Sequence, residues 1–279
     1  MTFLYKAKTL FTATAFAVSM AASSVVAAEN ERLENFLTVT GFDVALESIR
    51  LTASSAPAMI GLDADDFGVQ WTTLVDDVFD TAQMHDMAVE ILEETLSDDL
   101  LDHAVAFYES DLGKRLVVVE NASHMKEDEE LKTESGEAIV AGLLKLGSPR
   151  LEELKRLNAA TGSEDASIHA IQEVQVRFLM AAASAGVIDL PLDEEDLRQN
   201  LKSREGEMRR SLQIAGLSGS AYTYQAFSDD EITAYADALE HPKMQEVYAL
   251  MNAVQFEIMA DRYEAMASGM SALQPSQEL

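Results

Sequence analysis

The chain has 279 residues, of which 48% are hydrophobic, and its 49 acidic and 20 basic residues give a formal net charge of −29. The hydrophobic share is large enough for a buried core and excludes a disordered acidic tail, while the acidic excess argues against binding to nucleic acid or to an anionic lipid surface. The absence of cysteine excludes disulfides, thiolate nucleophiles and cysteine-based metal sites.

Residues 1–28 have the pattern of a secretory signal peptide. Lys6 and Lys8 give a positive start, an uncharged apolar stretch follows, and small residues at Val26 and Ala28 form a cleavage site. We therefore predict cleavage after Ala28 and export to the periplasm, with an uncleaved membrane anchor as the alternative. No later segment has an apolar run long enough to span a bilayer, so we expect no transmembrane segment after signal removal.

The sequence after the signal predicts helices throughout. Apolar residues recur at helical spacing, as on the stripe from Met84 to Leu96, and only five prolines occur in the chain. Helix starts are marked by Ser97, by a capping box from Ser228 to Glu231, and by Pro242 at a first helical position. The predicted fold class is all-α.

The chain also repeats itself. The stretch that begins at Leu96 aligns without gaps with the stretch that begins at Phe227, and the alignment continues as far as Asn121 opposite Asn252. Matching caps, breaks and apolar positions predict two tandem related helical modules packed as a bundle or array. The predicted division is signal peptide 1–28, helical module 29–157, linker 158–163, helical module 164–270 and disordered tail 271–279.

The eight residues from Phe107 to Lys114, FYESDLGK, resemble the F-Y-x-S-P-x-G-x-K stretch typical of a bacterial family catalogued as domain of unknown function 2059. The resemblance implies an exported, all-helical envelope protein and supplies no reaction, ligand or catalytic residue. Asp111 stands where the family usually has proline, and the second module does not keep the Phe, Tyr, Ser, Gly and Lys of the motif.

The motif has a structural interpretation and a functional one. As structure it is a corner between two helices, in which Ser110 caps the second helix and Gly113 permits a close crossing. Tyr108 is then expected to keep its hydroxyl near water. As function it is a ligand-binding site formed by Tyr108, Lys114 and Arg115.

One helical spacing is compatible with a metal ion. Asp99 and His103 are four residues apart, which lets both side chains bind one divalent cation, with Asp102 beside them. The alternative is a solvated polar helix face. We assign no catalytic residue and no cofactor, because no motif for a nucleotide, a nucleophile or a catalytic zinc is found.

The modules differ in charge. No Lys or Arg occurs between Arg50 and Lys114, whereas Arg204, Arg209 and Arg210 lie together in the second module, as a candidate anion site or as exposed charge. An acidic face on one module and a basic ridge on the other are able to dock. The methionines near the end are interpreted as adaptable core, or as a partner groove if exposed.

The sequence leaves three functions open. The leading hypothesis is a non-enzymatic periplasmic protein that binds a partner protein or a small ligand. The alternatives are a hydrolase-type enzyme with a carboxylate and histidine site around Asp99, Asp102 and His103, and a structural or cation-buffering envelope protein. The identity of the partner and the oligomeric state are not predicted.

Overall fold

The structure is a computed structural model that describes residues 30–53, 56–126 and 128–273. All regular secondary structure in these residues is helical, which confirms the predicted all-α class. No helix in the described part combines the length and apolar character needed to cross a membrane. The predicted signal peptide, 1–28, and residues 274–279 of the predicted tail lie outside the described residues.

The helices differ widely in length, and the longest of those described, Pro242–Met270, is the last. Two 3-10 turns, Pro57–Ile60 and Ala64–Phe67, separate the second and third helices. The α-helices are α1 (residues 30–40), α2 (Phe42–Thr52), α3 (Val69–Val78), α4 (Thr81–Thr95), α5 (Asp98–Tyr108), α6 (Asp111–His124), α7 (Glu129–Leu146), α8 (Arg150–Ala160), α9 (Glu164–Ser184), α10 (Glu194–Ser203), α11 (Glu205–Thr223), α12 (Asp229–Leu239) and α13 (Pro242–Met270).

The last helix is the centre of the fold. α13 packs along α9 and also contacts α2, α3, α4, α5 and α12, so helices from both predicted modules surround it. Its methionines fill the interior, since Met244, Met251, Met266 and Met270 are all buried. The prediction that the methionine cluster is core is therefore confirmed for these four side chains.

The two predicted modules share one hydrophobic core within the described residues. Tyr263 on α13 shows how it is built, because its ring meets Phe79 from the first module at 5.6 Å and Phe178 from the second at 6.0 Å between ring centroids. Both contacts are edge-on, a favourable aromatic geometry. The modules therefore pack together as parts of one body.

Several predicted helix starts are present. Ser228 and Glu231 form the capping box, and Pro242 occupies the first turn of α13. α5 and α12 both span 11 residues and both begin after a serine N-cap. Asn252, which is partly buried, donates from Nδ2 to the carbonyl oxygen of Thr161 at 2.8 Å. The duplication itself stays a prediction.

The structure corrects the linker and part of the tail. Residues 158–160 form the last turn of α8, because alanine favours the helix and the Asn158 side chain accepts a hydrogen bond from Ser220 on α11. Only residues 161–163 separate α8 from α9. At the other end, Leu273 of the predicted tail packs against the core.

Candidate functional site

The predicted corner at the family-like motif is present. α5 ends at Tyr108, and the hydroxyl of Ser110 caps α6 by accepting from the backbone N–H of Gly113 at 3.0 Å. Gly113 is required sterically, since a Cβ there would collide with the backbone of Phe107 and Tyr108. The motif therefore fixes the angle between two helices that meet closely.

Tyr108 does not reach water, contrary to the prediction. Its side chain is 2% exposed, and its hydroxyl contacts those of Tyr235, at 3.3 Å, and Tyr248. The neighbouring ring of Phe107 stacks on Tyr235 with centroids 5.8 Å apart. The ring of Tyr108 lies in the core because α12 and α13 cover this corner, so Tyr108 is not available to a ligand at the surface.

The two basic residues of the predicted ligand site lie at the surface, but with different surroundings. Lys114 is exposed. Arg115 donates to the Glu231 carboxylate at 2.6 Å and its guanidinium lies 5.4 Å from the centroid of the Phe227 ring. The backbone N–H of Ser228 and the charge of Arg115 together lower the pKa of Glu231 to about 2. Arg115 therefore ties α6 to the start of α12, and ligand binding by Lys114 and Arg115 stays a prediction.

A buried polar network missed by the sequence reasoning lies behind the corner. Glu120 on α6 is mostly buried, and its Oε1 accepts from the hydroxyls of Tyr224, at 2.7 Å, and Tyr235, at 2.8 Å. Tyr235 in turn contacts Tyr248 at 3.1 Å. Burial raises the pKa of Glu120, although the two hydrogen bonds act in the opposite direction. The network joins α5, α6, α11, α12 and α13.

The predicted metal pair is engaged in other contacts. Asp99 accepts from Nζ of Lys243 at 2.6 Å, and the ring of His103 stacks on His241 with centroids 4.3 Å apart. Burial, followed by the charges of His241 and Lys243, lowers the pKa of His103. The described residues contain no group of three or more His, Asp or Glu side chains placed to hold a metal. Metal binding by Asp99 and His103 stays a prediction.

The three arginines of the predicted anion site do not act together. Arg209 is paired with Glu164 at 3.2 Å and with Asp165 at 2.5 Å, both at the start of α9. Arg204 and Arg210 are exposed and form no ion pair within the described residues. Arg209 therefore serves a contact between α9 and α11, and anion binding by Arg204, Arg209 and Arg210 stays a prediction.

The charged residues of the two modules also pair differently from the prediction. The basic ridge of α10 and α11 binds acids of its own module, as Arg198 does with Glu173 at 2.7 Å. Other residues form the ion pairs between the modules. Arg156 reaches Asp237 and Glu240 at the end of α12, both at 2.8 Å, and the pairs of Arg115 with Glu231 and of Lys243 with Asp99 also join the modules. The predicted docking of an acidic face on a basic ridge is therefore not what joins the halves.

A surface groove of about 490 Å³ lies between α9, α10 and α13. Val176 and Met180 line it together with Arg177 and Arg198. Both arginines are already paired with carboxylates, Arg177 with Glu264 at 2.8 Å among others. A ligand in this groove has to compete with those carboxylates, which weakens the case for a small-molecule site.

The most unusual surface feature is apolar. Nine large hydrophobic residues are exposed in the described part of the chain, and six of them lie on or directly after α6, α7 and α11. α11 packs against both of the other helices. We call these six residues the apolar surface: Val118, Met125, Leu131, Leu144, Leu146 and Ile214.

α7 contributes half of the apolar surface and is poorly buried itself. Among its described residues only Gly136 is fully buried, at a close contact where a Cβ would collide with the carbonyl oxygen of Ser218 on α11, while Ile139, Val140 and Leu143 are partly buried. Leu144 is 61% exposed and Leu146 is 81% exposed. The sequence shows apolar residues at helical spacing in α7, but their spacing alone does not tell whether a neighbouring helix covers them.

Comparison with known proteins adds one relationship. Residues 82–141, which run from α4 into α7, match the model of a family described as "Uncharacterized protein conserved in bacteria (DUF2059)". The comparisons with curated proteins and with solved structures found no match. The predicted resemblance to this bacterial family is thus confirmed over residues 82–141, while the motif from Phe107 to Lys114 and the second copy stay predictions.

Proposed function

We propose that this protein is exported to the periplasm and binds a partner protein, without catalysis, through the apolar surface on α6, α7 and α11. One observation carries the proposal: α7 exposes Leu131, Leu144 and Leu146, and its inward-facing Ile139, Val140 and Leu143 are only partly buried against the core. Exposed apolar side chains concentrated on neighbouring helices are typical of protein interaction sites.

The energetics of α7 support a missing contact. Helices in proteins are stabilised mainly by burial of an apolar face, and α7 leaves much of its apolar area in water. Covering a leucine side chain contributes about 1.5–3 kcal/mol. Leu144 and Leu146 are two residues apart and point to different sides of the last turn of α7. Covering Leu144 alone supplies about that much, and a partner that also wraps around the end of the helix gains more.

The family match supports the same surface. Residues 82–141 include Val118, Met125 and Leu131, three of the six apolar residues. The matched segment also contains Glu120, whose hydrogen bonds from Tyr224 and Tyr235 hold α6 against α11 and α12. The apolar surface therefore stands on helices with a fixed arrangement, which limits the entropy lost on binding.

The test is site-specific photo-crosslinking in the producing cell. A photoreactive residue replaces Leu144 or Leu146, and Val69 on α3 is the matched control because it is 81% exposed, as Leu146 is, and lies outside the apolar surface. The proposal predicts one discrete crosslinked protein from positions 144 and 146 and none from position 69. The species is then identified by mass spectrometry of the crosslinked peptide.

The same experiment is able to contradict the proposal. Equal crosslinking from all three positions would indicate non-specific contact, and no crosslinking from positions 144 and 146 would show that these leucines stay in water. Fractionation of the same cells checks the export step. We expect to recover the protein from the periplasm with the mass of a chain that begins after Ala28.

A further inference from the structure

We propose that the partner segment is a helix that lies along the outward face of α7. The side of this helix that faces α7 carries basic residues at one end and apolar residues at the other. The inference rests on the proposed function and goes further, because it states the chemistry of the partner. It follows from the order of exposed residues along a single face of α7.

The outward face of α7 has coiled-coil spacing. Five of its exposed positions are separated by alternating steps of four and three residues, which place them in one line along the helix, as in a helix that packs against another helix. We call this line the seam: Glu130, Glu134, Glu137, Ala141 and Leu144.

The seam changes character along its length. Its first three positions are glutamates that form no ion pair within the described residues, and its last two are Ala141 and the 61% exposed Leu144. Small residues at Ala138, Ala141 and Gly142 allow the backbone of another helix to approach closely. A cylinder of the same shape, such as a second α-helix, fits this face better than a loop or a strand.

Charge decides which helix fits. The three glutamates favour Lys or Arg on the facing side chains, and a helix that buries them beside uncharged groups would remove their hydration without compensation. The next two seam positions favour apolar side chains for the opposite reason. The facing helix is therefore basic opposite Glu130, Glu134 and Glu137 and apolar opposite Ala141 and Leu144.

A second copy of the chain is disfavoured as the occupant. In a parallel pair the glutamates of the two seams face each other, and in an antiparallel pair Glu130 faces Leu144. Each arrangement places carboxylates against like charge or against an apolar side chain. The net charge of −29 adds a general repulsion between copies.

The test uses synthetic helices and the full-length mature protein. The probe is a fluorescent three-heptad helix with Lys at three successive seam-facing positions and Leu at the next two, made in both orders so that parallel and antiparallel docking are covered. A helix of the same sequence with Glu in place of Lys is the comparison. Fluorescence anisotropy measures the dissociation constants.

Two triple variants provide a matched control. The seam variant reverses the charge of three seam positions, by Glu130→Lys, Glu134→Lys and Glu137→Lys. The α4 variant reverses the charge of three exposed acids at the same spacing, by Asp86→Lys, Glu90→Lys and Glu93→Lys. Both variants change the net charge equally. We expect the seam variant to bind the Lys helix about tenfold more weakly, from the loss of three surface ion pairs. The α4 variant is expected to bind as the wild type does, and circular dichroism checks that both remain helical.

Equal weakening by the two triple variants would overturn the inference, since it would show that overall charge attracts the probe. Equal binding of the Lys and Glu helices would overturn it as well. These failures are distinct from failure of the proposed function. Crosslinking from Leu144 to a partner whose contacting segment is not basic would leave the function standing and refute only the class of partner.

Discussion

Glu120 accepts a hydrogen bond from the hydroxyl of Tyr235 at 2.8 Å, across 115 residues of sequence. This contact places a carboxylate of the family-like segment against the second half of the chain. Tyr224 donates to the same oxygen at 2.7 Å, so two donors compensate for the burial of one acceptor. The arrangement makes the network around Glu120 a joint between the two halves.

Removal of the Tyr235 hydroxyl should weaken that joint. Tyr235→Phe keeps the ring stacked on Phe107 but deletes a donor to Glu120, and we expect the free energy of unfolding to fall by about 1–3 kcal/mol. Urea denaturation followed by circular dichroism measures the change. Tyr222→Phe is the control, because no hydrogen bond of its hydroxyl is found in the described part of the chain, and its effect should stay within about 0.5 kcal/mol. Equal effects of the two variants would contradict a role for the network.

Stability should also depend on pH through Glu120. Burial raises its pKa in the folded state, so the folded chain holds this proton more tightly than the unfolded chain does. The resulting stabilisation is full below the unfolded pKa and is lost as the pH rises through the folded pKa. Glu120→Gln keeps an oxygen acceptor, and the glutamine side chain does not titrate. We therefore expect its stability relative to the wild type to increase as the pH is raised from about 4 to about 7, starting near the ordinary glutamate pKa. A constant difference across that range would refute the prediction.

The stacked histidines His103 and His241 give a second pH dependence of stability, opposite in sign to that of Glu120. The pKa of His103 is lowered by burial and by the neighbouring charges of His241 and Lys243, although Asp99 acts in the other direction. The stabilisation associated with neutral His103 is therefore present above its unfolded pKa and is lost as the pH falls through the folded pKa. His241→Asn retains an N-cap for α13 and removes one of these charges. NMR titration should show the His103 pKa moving upward in this variant, and an unchanged value would show that His241 has no influence on it.

Two glycines in left-handed conformation provide a test of the packing at α2. Gly41 has φ of 73° and lies against the Asn121 side chain, whereas Gly61 has φ of 74° and open space around it. Alanine at either position adopts an unfavourable backbone, at about 1–2 kcal/mol. Gly41→Ala in addition collides with Oδ1 of Asn121, so we expect it to lower the free energy of unfolding by at least about 1 kcal/mol more than Gly61→Ala does. Thermal and urea unfolding of both variants measure the difference, and equal losses would show that α6 moves aside freely.

Local sequence signals predicted much of the fold. The capping box at Ser228, the proline start of α13 and the methionine core all depend on residues near one another in sequence, and all are present. Residues 158–160 of the predicted linker are helical, and Asn158 there is held by a distant partner, Ser220. The residues around Asn158 in the sequence give no indication of that partner.

The site residues were less predictable. Tyr108 is amphipathic, and whether its hydroxyl meets water or other tyrosines depends on α12 and α13, which lie more than a hundred residues away. Glu120 gave no sign of burial, because a glutamate within a helix is usually solvated. The exposure of Leu144 and Leu146 was equally hidden, since periodicity shows where apolar residues stand on a helix but not whether another helix covers them.

The most direct test of the proposed binding function is the affinity of the crosslinked partner, once identified, for three purified proteins. They are the wild type, the double variant Leu144→Glu with Leu146→Glu, and the control Val69→Glu, which places a charge at an equally exposed position on α3. The proposal predicts that the control binds as the wild type does, and that the double variant folds normally and loses at least about a hundredfold in affinity. Unchanged binding by the double variant would contradict the assignment of the binding site to the apolar surface.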